Sequence, residues 1–356
     1  MSPHGLPALG WNPRLEAAYA ALGRTELIAA RVAAVHRGRL ELLSATGALA
    51  GAPSGRMIHG AATAADLPAV GDWVAVDPES GVVHALLPRQ GGLARAAGHG
   101  RGEPQVLAAN VDLALVVGSL NRDLNVRRLE RFLTVAADAE ADALVVLSKA
   151  DLSGDPAGRA LDVRAALGGT VPVLAVSVVD GSGIATLEAW LAQGRTAILL
   201  GSSGVGKTTL LNHLSGDRRR TLPVRAGDDR GRHATTHREL VPLASGALVI
   251  DTPGLRLPRV WEQAGGLRSV FADVDELALR CRFRDCSHRG EPGCAVAAAI
   301  ADGRLPADRL AGMEKLAREE AWVASRRDER ARSERKRSAK RLQRELRRTY
   351  RARGRD

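Results

Sequence analysis

The segment Gly201-Ser202-Ser203-Gly204-Val205-Gly206-Lys207-Thr208-Thr209 contains the full pattern G-x-x-x-x-G-K-[ST]. The apolar run Ala197–Leu200 precedes it and a helical pattern, Thr208–Leu214, follows it. Glycines at these positions let backbone N–H groups wrap phosphate oxygens without Cβ interference, and a helix start adds partial positive charge. Lys207 would bridge terminal phosphates and the Thr208 hydroxyl would ligate Mg²⁺. Asp251-Thr-Pro-Gly254 follows a second apolar run, Ala247–Ile250. Asp251 at that strand end can hold Mg²⁺ through water, and the Gly254 N–H can sense a γ-phosphate. The pattern D-x-x-G alone is a common turn; its position after a strand and downstream of the phosphate loop gives it weight. Between the two lies Gly231-Arg-His233-Ala-Thr235-Thr236, where Thr236, taken ahead of Thr235, would complete the Mg²⁺ shell.

A carboxylate that accepts from N1–H and N2–H₂ reads guanine. Ser148-Lys149-Ala150-Asp151, after the run Ala143–Leu147, has the S-K-x-D form of the N-K-x-D segment that supplies it. Asp151 would read the base edge and the Lys149 stem would cover the ring. Ser148 stands in place of Asn, so the expectation is a shortened or lost amide contact and lower affinity. Ser177-Val178, after Val171–Val176, fits the second base-contact position, with Val in place of Ala.

Cys281, Cys286, His288 and Cys294 lie within one short stretch that holds every cysteine of the chain. Three thiolates and an imidazole make a closed tetrahedral Zn²⁺ site of structural type, with no open position for chemistry.

These groups need elements to hold them. The chain has 356 residues, 45% of them hydrophobic and 26% charged, which fits several globular domains and excludes a disordered chain. No run is long and apolar enough for a membrane helix, no signal peptide is evident, and three cysteines make no disulfide framework. A reducing, cytoplasmic setting without membrane contact is expected. Residues 1–25 read as a loosely attached leader. Residues 26–100 hold short strand-like runs with Gly, Pro and Asp turns, a small β-barrel pattern, and 91–105 read as a linker. Residues 101–260 alternate strand and helix, an α/β pattern with functional loops at the carboxyl ends of parallel strands. Residues 261–324 carry the metal cluster. Residues 325–356 read as a basic helical tail: 15 Lys/Arg against 5 Asp/Glu, almost all of the chain's net charge of +11. Such a tail suits a polyanion.

The motif order is unusual. Base-reading segments come first, then the phosphate loop, then Asp251-x-x-Gly254, so the same sheet would be built from a chain cut elsewhere. Together with Cys281–Cys294, the turn Val70-Gly-Asp-Trp73 and the segment Gln105–Asp112, this order resembles the ribosome small-subunit-dependent GTPase A family of circularly permuted GTPases. The resemblance implies a multi-domain architecture: an N-terminal oligonucleotide-binding (OB-fold) β-barrel, a central α/β P-loop GTPase domain and a C-terminal zinc-binding α-helical domain. It also implies a monomer that hydrolyses GTP to GDP in late maturation of the small ribosomal subunit, binds its rRNA and is stimulated by that subunit.

Leu255 follows Gly254 where Ras-like enzymes place a water-orienting Gln, so slow intrinsic turnover is expected. His233 is the candidate for positioning water once rRNA orders residues 228–238. Two other readings compete. One is an RNA-binding module whose nucleotide site only senses its ligand; the other is a P-loop ATPase or kinase, if Ser148 signals lost guanine reading.

Overall fold

The computed structural model describes residues 5–36, 38–96, 104–121, 123–216, 238–251, 266–322 and 324–325. Five strands form the N-terminal unit: β1 (Ile28–His36), β2 (Arg39–Ser44), β3 (Gly47–Pro53), β4 (Trp73–Val76) and β5 (Val82–Leu86). A short helix, α2 (Gly55–Gly60), lies between β3 and β4, and α1 (Pro13–Ala20) precedes them all. β1 pairs with both β2 and β4, β2 with β3, β3 with β5, and β5 with β4, so the sheet closes into a barrel. A bulge between Val32 and Ala34 bends β1, which pairs with β4 over residues 28–31 before it and with β12 at Ala34 after it. Val32, Leu42, Val74, Val76 and Val83 fill the interior.

The central unit is a parallel sheet in the order β10 (Val173–Ala175), β9 (Asp142–Ser148), β8 (Leu113–Ser119), β11 (Thr196–Leu200), β13 (Leu248–Asp251), with β12 (Glu239–Pro242) antiparallel at its edge. Every residue of β8 is buried, as a strand covered on both faces requires. Its residues divide by parity. Leu113, Leu115 and Val117 enter one core layer with Leu144 and Val146, while Ala114 and Val116 enter the other with Val145 and Leu147. Helices α3 (Val126–Asp138), α4 (Pro156–Ala166), α5 (Ile184–Trp190) and α6 (Lys207–Ser215) cover the faces.

The barrel and the parallel sheet are one continuous hydrogen-bonded surface, because β12 pairs with β1 at Ala34 and Glu239. The turn Val70-Gly-Asp-Trp73 locks the joint. Gly71 has φ +90° and a Cβ there would meet the Ala109 carbonyl at 2.2 Å, so only glycine fits. Its carbonyl accepts from Asn110 Nδ2 at 3.0 Å and from Arg31 Nε at 3.2 Å. Asp72 is buried and paired with Arg89 at 2.7 Å. Arg31 is 1% exposed and also donates to the carbonyls of Leu9 and Asn110. Burial holds its guanidinium down to about 10, against the nearby charges of Asp112 and Asp72.

Two readings of the sequence are corrected here. The leader is docked, not loose: Leu9 and Leu15 are each 2% exposed, and Trp11 packs edge-on against Trp73 with centroids 4.8 Å apart. The stretch read as a linker forms a two-stranded antiparallel sheet, β6 (Gly92–Ala96) with β7 (Pro104–Ala109), whose Leu93 and Leu107 are buried.

The C-terminal module is helical: α7 (Gly266–Val270), α8 (Ala272–Ala278), α9 (Ala295–Ala301) and a last helix over residues 307–322. Arg309, 1% exposed, holds it to α3. Its Nη1 donates to Glu130 Oε1 at 2.8 Å, its Nε and Nη2 clasp Asp273, and its plane lies 4.3 Å from the Phe271 ring centroid. Among the described residues no helix is long and apolar enough to cross a membrane. Residues 326–356, the basic tail, lie outside the described residues.

Candidate functional site

Three described loops leave carboxyl ends of the parallel sheet, where an open α/β sheet gathers ligands. Those after β9, β10 and β11 carry Ser148–Asp151, Ser177–Val178 and Gly201–Thr209, and β13 itself ends in Asp251. The phosphate loop has its glycines where the chain turns left-handed: Gly201 at φ +151°, Gly204 at +82° and Gly206 at +90°. A Cβ at Gly201 would sit 2.4 Å from the Val117 carbonyl. α6 begins at Lys207, whose Nζ donates to the Gly201 and Ser202 carbonyls at 2.7 and 2.5 Å. Lys207 is 6% exposed. Burial pushes its ammonium down to about 8, with the neighbouring Asp251 charge acting in the opposite direction. Asp251 is itself buried at the end of β13. Val205 is buried under the loop, Thr208 is half-buried, and Ser203 and Thr209 are exposed.

The segment expected to read the base is stitched to this loop. Ser148 Oγ lies 2.6 Å from the Val205 carbonyl and 3.0 Å from that of Gly118, and Lys149 Nζ donates to the Gly204 carbonyl at 3.1 Å. Of the two alternatives expected at Ser148, a shortened or a lost contact, the structure fits the first: the shorter hydroxyl reaches the loop carbonyl because the strand end lies so close. Lys149 takes a left-handed φ of +58°, which turns the chain so that exposed Asp151 follows buried Ala150. Ser177, fully buried, donates to Asp151 Oδ1 at 2.6 Å and accepts from the Val179 N–H. Val178 is half-buried beside it. The serine thus orients the carboxylate, a role its sequence position alone did not specify. Gly254, His233, Thr235 and Thr236 lie outside the described residues.

Arg128 was missed by sequence reading. Its Nη1 donates to Ser202 Oγ at 3.3 Å and to Asp123 Oδ2 at 3.1 Å. With Lys+Arg at 51 in the chain, one arginine among many gave no signal.

The cysteine cluster lies between α8 and α9. One ligand atom from each of Cys281, Cys286, His288 and Cys294 falls within 4.8 Å of all the others. Cys281 Sγ and Cys294 Sγ are 3.9 Å apart, and His288 Nδ1 lies 3.6 and 3.5 Å from them. A zinc tetrahedron with bonds of about 2.3 Å to sulfur and 2.0–2.1 Å to nitrogen has S···S edges of about 3.8 Å and S···N edges of about 3.6 Å. The donor set therefore fits Zn²⁺ in type and spacing. Glu291 braces the loop by accepting from the N–H groups of Ser287 and Arg289 at 2.9 and 2.8 Å. Those hydrogen bonds, led by the Ser287 hydroxyl, hold its carboxyl down at about 2.

Comparison with known proteins agrees with this geometry. The family model described as RsgA GTPase matches residues 86–261. A protein of Opitutus terrae named small ribosomal subunit biogenesis GTPase RsgA is 46% identical, covering 91% of this chain and 92% of its own length. One of the same name from Streptomyces coelicolor is 42% identical over 94% of this chain and 92% of its own length. Among solved structures, YjeQ from Thermotoga maritima superposes with a TM-score of 0.60 at 23% identity, covering 82% of this chain and 97% of that one. YloQ, described as a circularly permuted GTPase, gives 0.59 at 24%, covering 83% and 96%. The two structures support the fold.

Proposed function

Because the chain belongs to the RsgA GTPase family and hydrolyses GTP, we propose that it acts in late maturation of the small ribosomal subunit. In this reading it binds that subunit's rRNA as a cytoplasmic monomer, and the subunit stimulates hydrolysis. The names of its relatives support the small subunit as partner, and the basic tail supports a polyanionic surface. The observation that carries the nucleotide part is the stitching of Ser148 and Lys149 to the phosphate-loop carbonyls, which makes one pocket from two sequence-distant segments.

In that pocket Gly201, Ser202, Ser203, Gly204, Val205, Gly206 and Thr209 enclose the phosphates with their backbone. Lys207 exchanges its two carbonyl partners for phosphate oxygens. Asp151, oriented by Ser177, reads guanine; Lys149, Ala150 and Val178 flank the base. Thr208, Asp251 and Thr236 would hold Mg²⁺, and buried Asp251 beside Lys207 supplies the negative charge such a site needs. Bound Mg²⁺ supplies neutralisation of charge developing on the phosphates. Gly254 senses the γ-phosphate, and His233 positions the attacking water when the subunit orders its segment. Catalysis is then positioning plus charge stabilisation. Cys281, Cys286, His288 and Cys294 would hold one structural Zn²⁺.

The test is GTP turnover with and without purified small subunits across a salt series. Stimulation that weakens steeply with salt is expected from a basic tail on phosphates; no stimulation at any salt refutes the subunit assignment. His233→Ala should remove stimulation and spare GTP binding, and unchanged stimulation would reject that role.

A further inference from the structure

In the sequence, Asp251–Gly254 precedes the C-terminal module, which suggests one route between nucleotide and module. A second route leaves from the other side of the phosphate loop. We propose that α3 is a relay between the phosphate loop and the C-terminal module, and that Arg128 is the positioning residue at its loop end. The inference rests on the nucleotide reading above and goes beyond it in naming how the site and the module communicate.

The helix is built for that role. Asn125 caps its first turn by accepting from the Arg128 N–H at 3.0 Å. Leu129, Phe132, Leu133 and Ala136 bury one face in the core, so the 13 residues move as a rod about 20 Å long. Arg128 projects to Ser202. Residues 127, 130 and 131 lie on the flank that meets the module, as the helical repeat requires. There Arg127 pairs with Asp308 at 2.6 Å, Glu130 with Arg309 at 2.8 Å and Arg131 with Glu319 at 2.6 Å. The partners at 308, 309 and 319 all belong to the last helix, residues 307–322.

A relay requires a contact that differs between states, since a ligand shifts an equilibrium only by its differential interactions. Ser202 provides it. Its carbonyl accepts from Lys207 Nζ at 2.5 Å while its hydroxyl accepts from Arg128 at 3.3 Å. A triphosphate draws Lys207 off that carbonyl, the loop residue reseats, and Arg128 carries the change into α3. Linkage makes the relay reciprocal: whatever grips the last helix alters nucleotide affinity by the same factor.

Amide hydrogen exchange on the full-length protein, with saturating non-hydrolysable GTP analogue and Mg²⁺, tests the relay. The wild type should change exchange at least about threefold both in α3 and in residues 307–322. Arg128→Ala should bind the analogue about 2- to 10-fold more weakly, as expected for one lost hydrogen bond. At saturation its response in 307–322 should be lost. Ser202→Ala should behave like Arg128→Ala, and Arg128→Lys should restore the response, which a merely structural role would not predict. A response in 307–322 that persists in Arg128→Ala, or a wild-type response absent from that helix, overturns the relay. A wild type that fails to bind the analogue at all overturns the nucleotide reading beneath it, a separately visible result.

Discussion

Lys207 carries a pH dependence that can be worked out from its surroundings. The residue is 6% exposed, and burial brings its ammonium to about 8 despite the charge of Asp251. The unfolded value is 10.5, so between about pH 8 and 10.5 the unfolded chain binds the extra proton. Through this group the free protein therefore gains stability as pH rises through that window. Nucleotide binding runs the other way, because phosphate favours the charged lysine. At pH 7.5 about three quarters of the free protein carries the charge; at pH 9 about one tenth does, so affinity should fall roughly eightfold. The phosphates contribute little, since their second ionisation is complete above about pH 7. Fluorescent GDP titrations at pH 7.5, 8, 8.5 and 9, paired with thermal melts of the free protein, measure both trends. Affinity constant within about twofold across that range would refute the argument that desolvation sets the charge of Lys207.

Arg309→Ala should cost about 3 kcal/mol, the lower end for breaking a buried pair, because Arg127 still holds Glu130 at 2.5 Å. Denaturant midpoints measure the loss, and the double variant Glu130→Gln, Arg309→Met should recover part of it. Asp138 sits at about 7, raised by burial and then by Glu320, and its Oδ2 is buried with no hydrogen-bond partner among the described residues. The folded state therefore binds its proton more tightly, and stability should rise as pH falls from about 7 toward 4. Asp138→Asn keeps the acceptor for the Gly266 N–H, so its melting temperature should exceed wild type at pH 8 and the gap should narrow steadily toward pH 4. Zinc removal by a chelator should release one metal per chain, open the segment between α8 and α9 to proteolysis and leave GDP affinity within about threefold. Structural zinc contributes roughly 10–16 kcal/mol of local folding energy, whereas the nucleotide loops leave other strands.

Much of the site was legible because its chemistry is local. A phosphate loop needs glycine where φ is positive, and Gly201, Gly204 and Gly206 sit there. Four side chains of metal-ligating type stand out within one short stretch, and the fold brings one atom of each within 4.8 Å of the others. The parallel strands were readable from their doubly buried apolar runs. β3, Gly-Ala-Leu-Ala-Gly-Ala-Pro, was not, because small residues leave no period. The antiparallel β6–β7 pair hid in a Gly- and Arg-rich stretch. Among the described residues its strands pair only with each other, and just a few buried side chains, such as Leu93 and Leu107, hold it down.

The amino-acid sequence alone determined which groups exist and the order in which the chain presents them: a strand-end carboxylate after Ser148-Lys149, a glycine-rich loop ending in Lys207, and a cluster of three thiols and an imidazole. Those depend on residue type and on backbone freedom a few positions wide. Only the tertiary structure decided that Ser148 still reaches the loop, that Arg31 and Arg309 are buried clasps rather than surface charge, and that β12 joins the barrel to the nucleotide sheet. Each of those depends on a distance between residues far apart in the chain. An arginine on the surface and an arginine in a clasp have the same letter, and folding alone removes water from one of them.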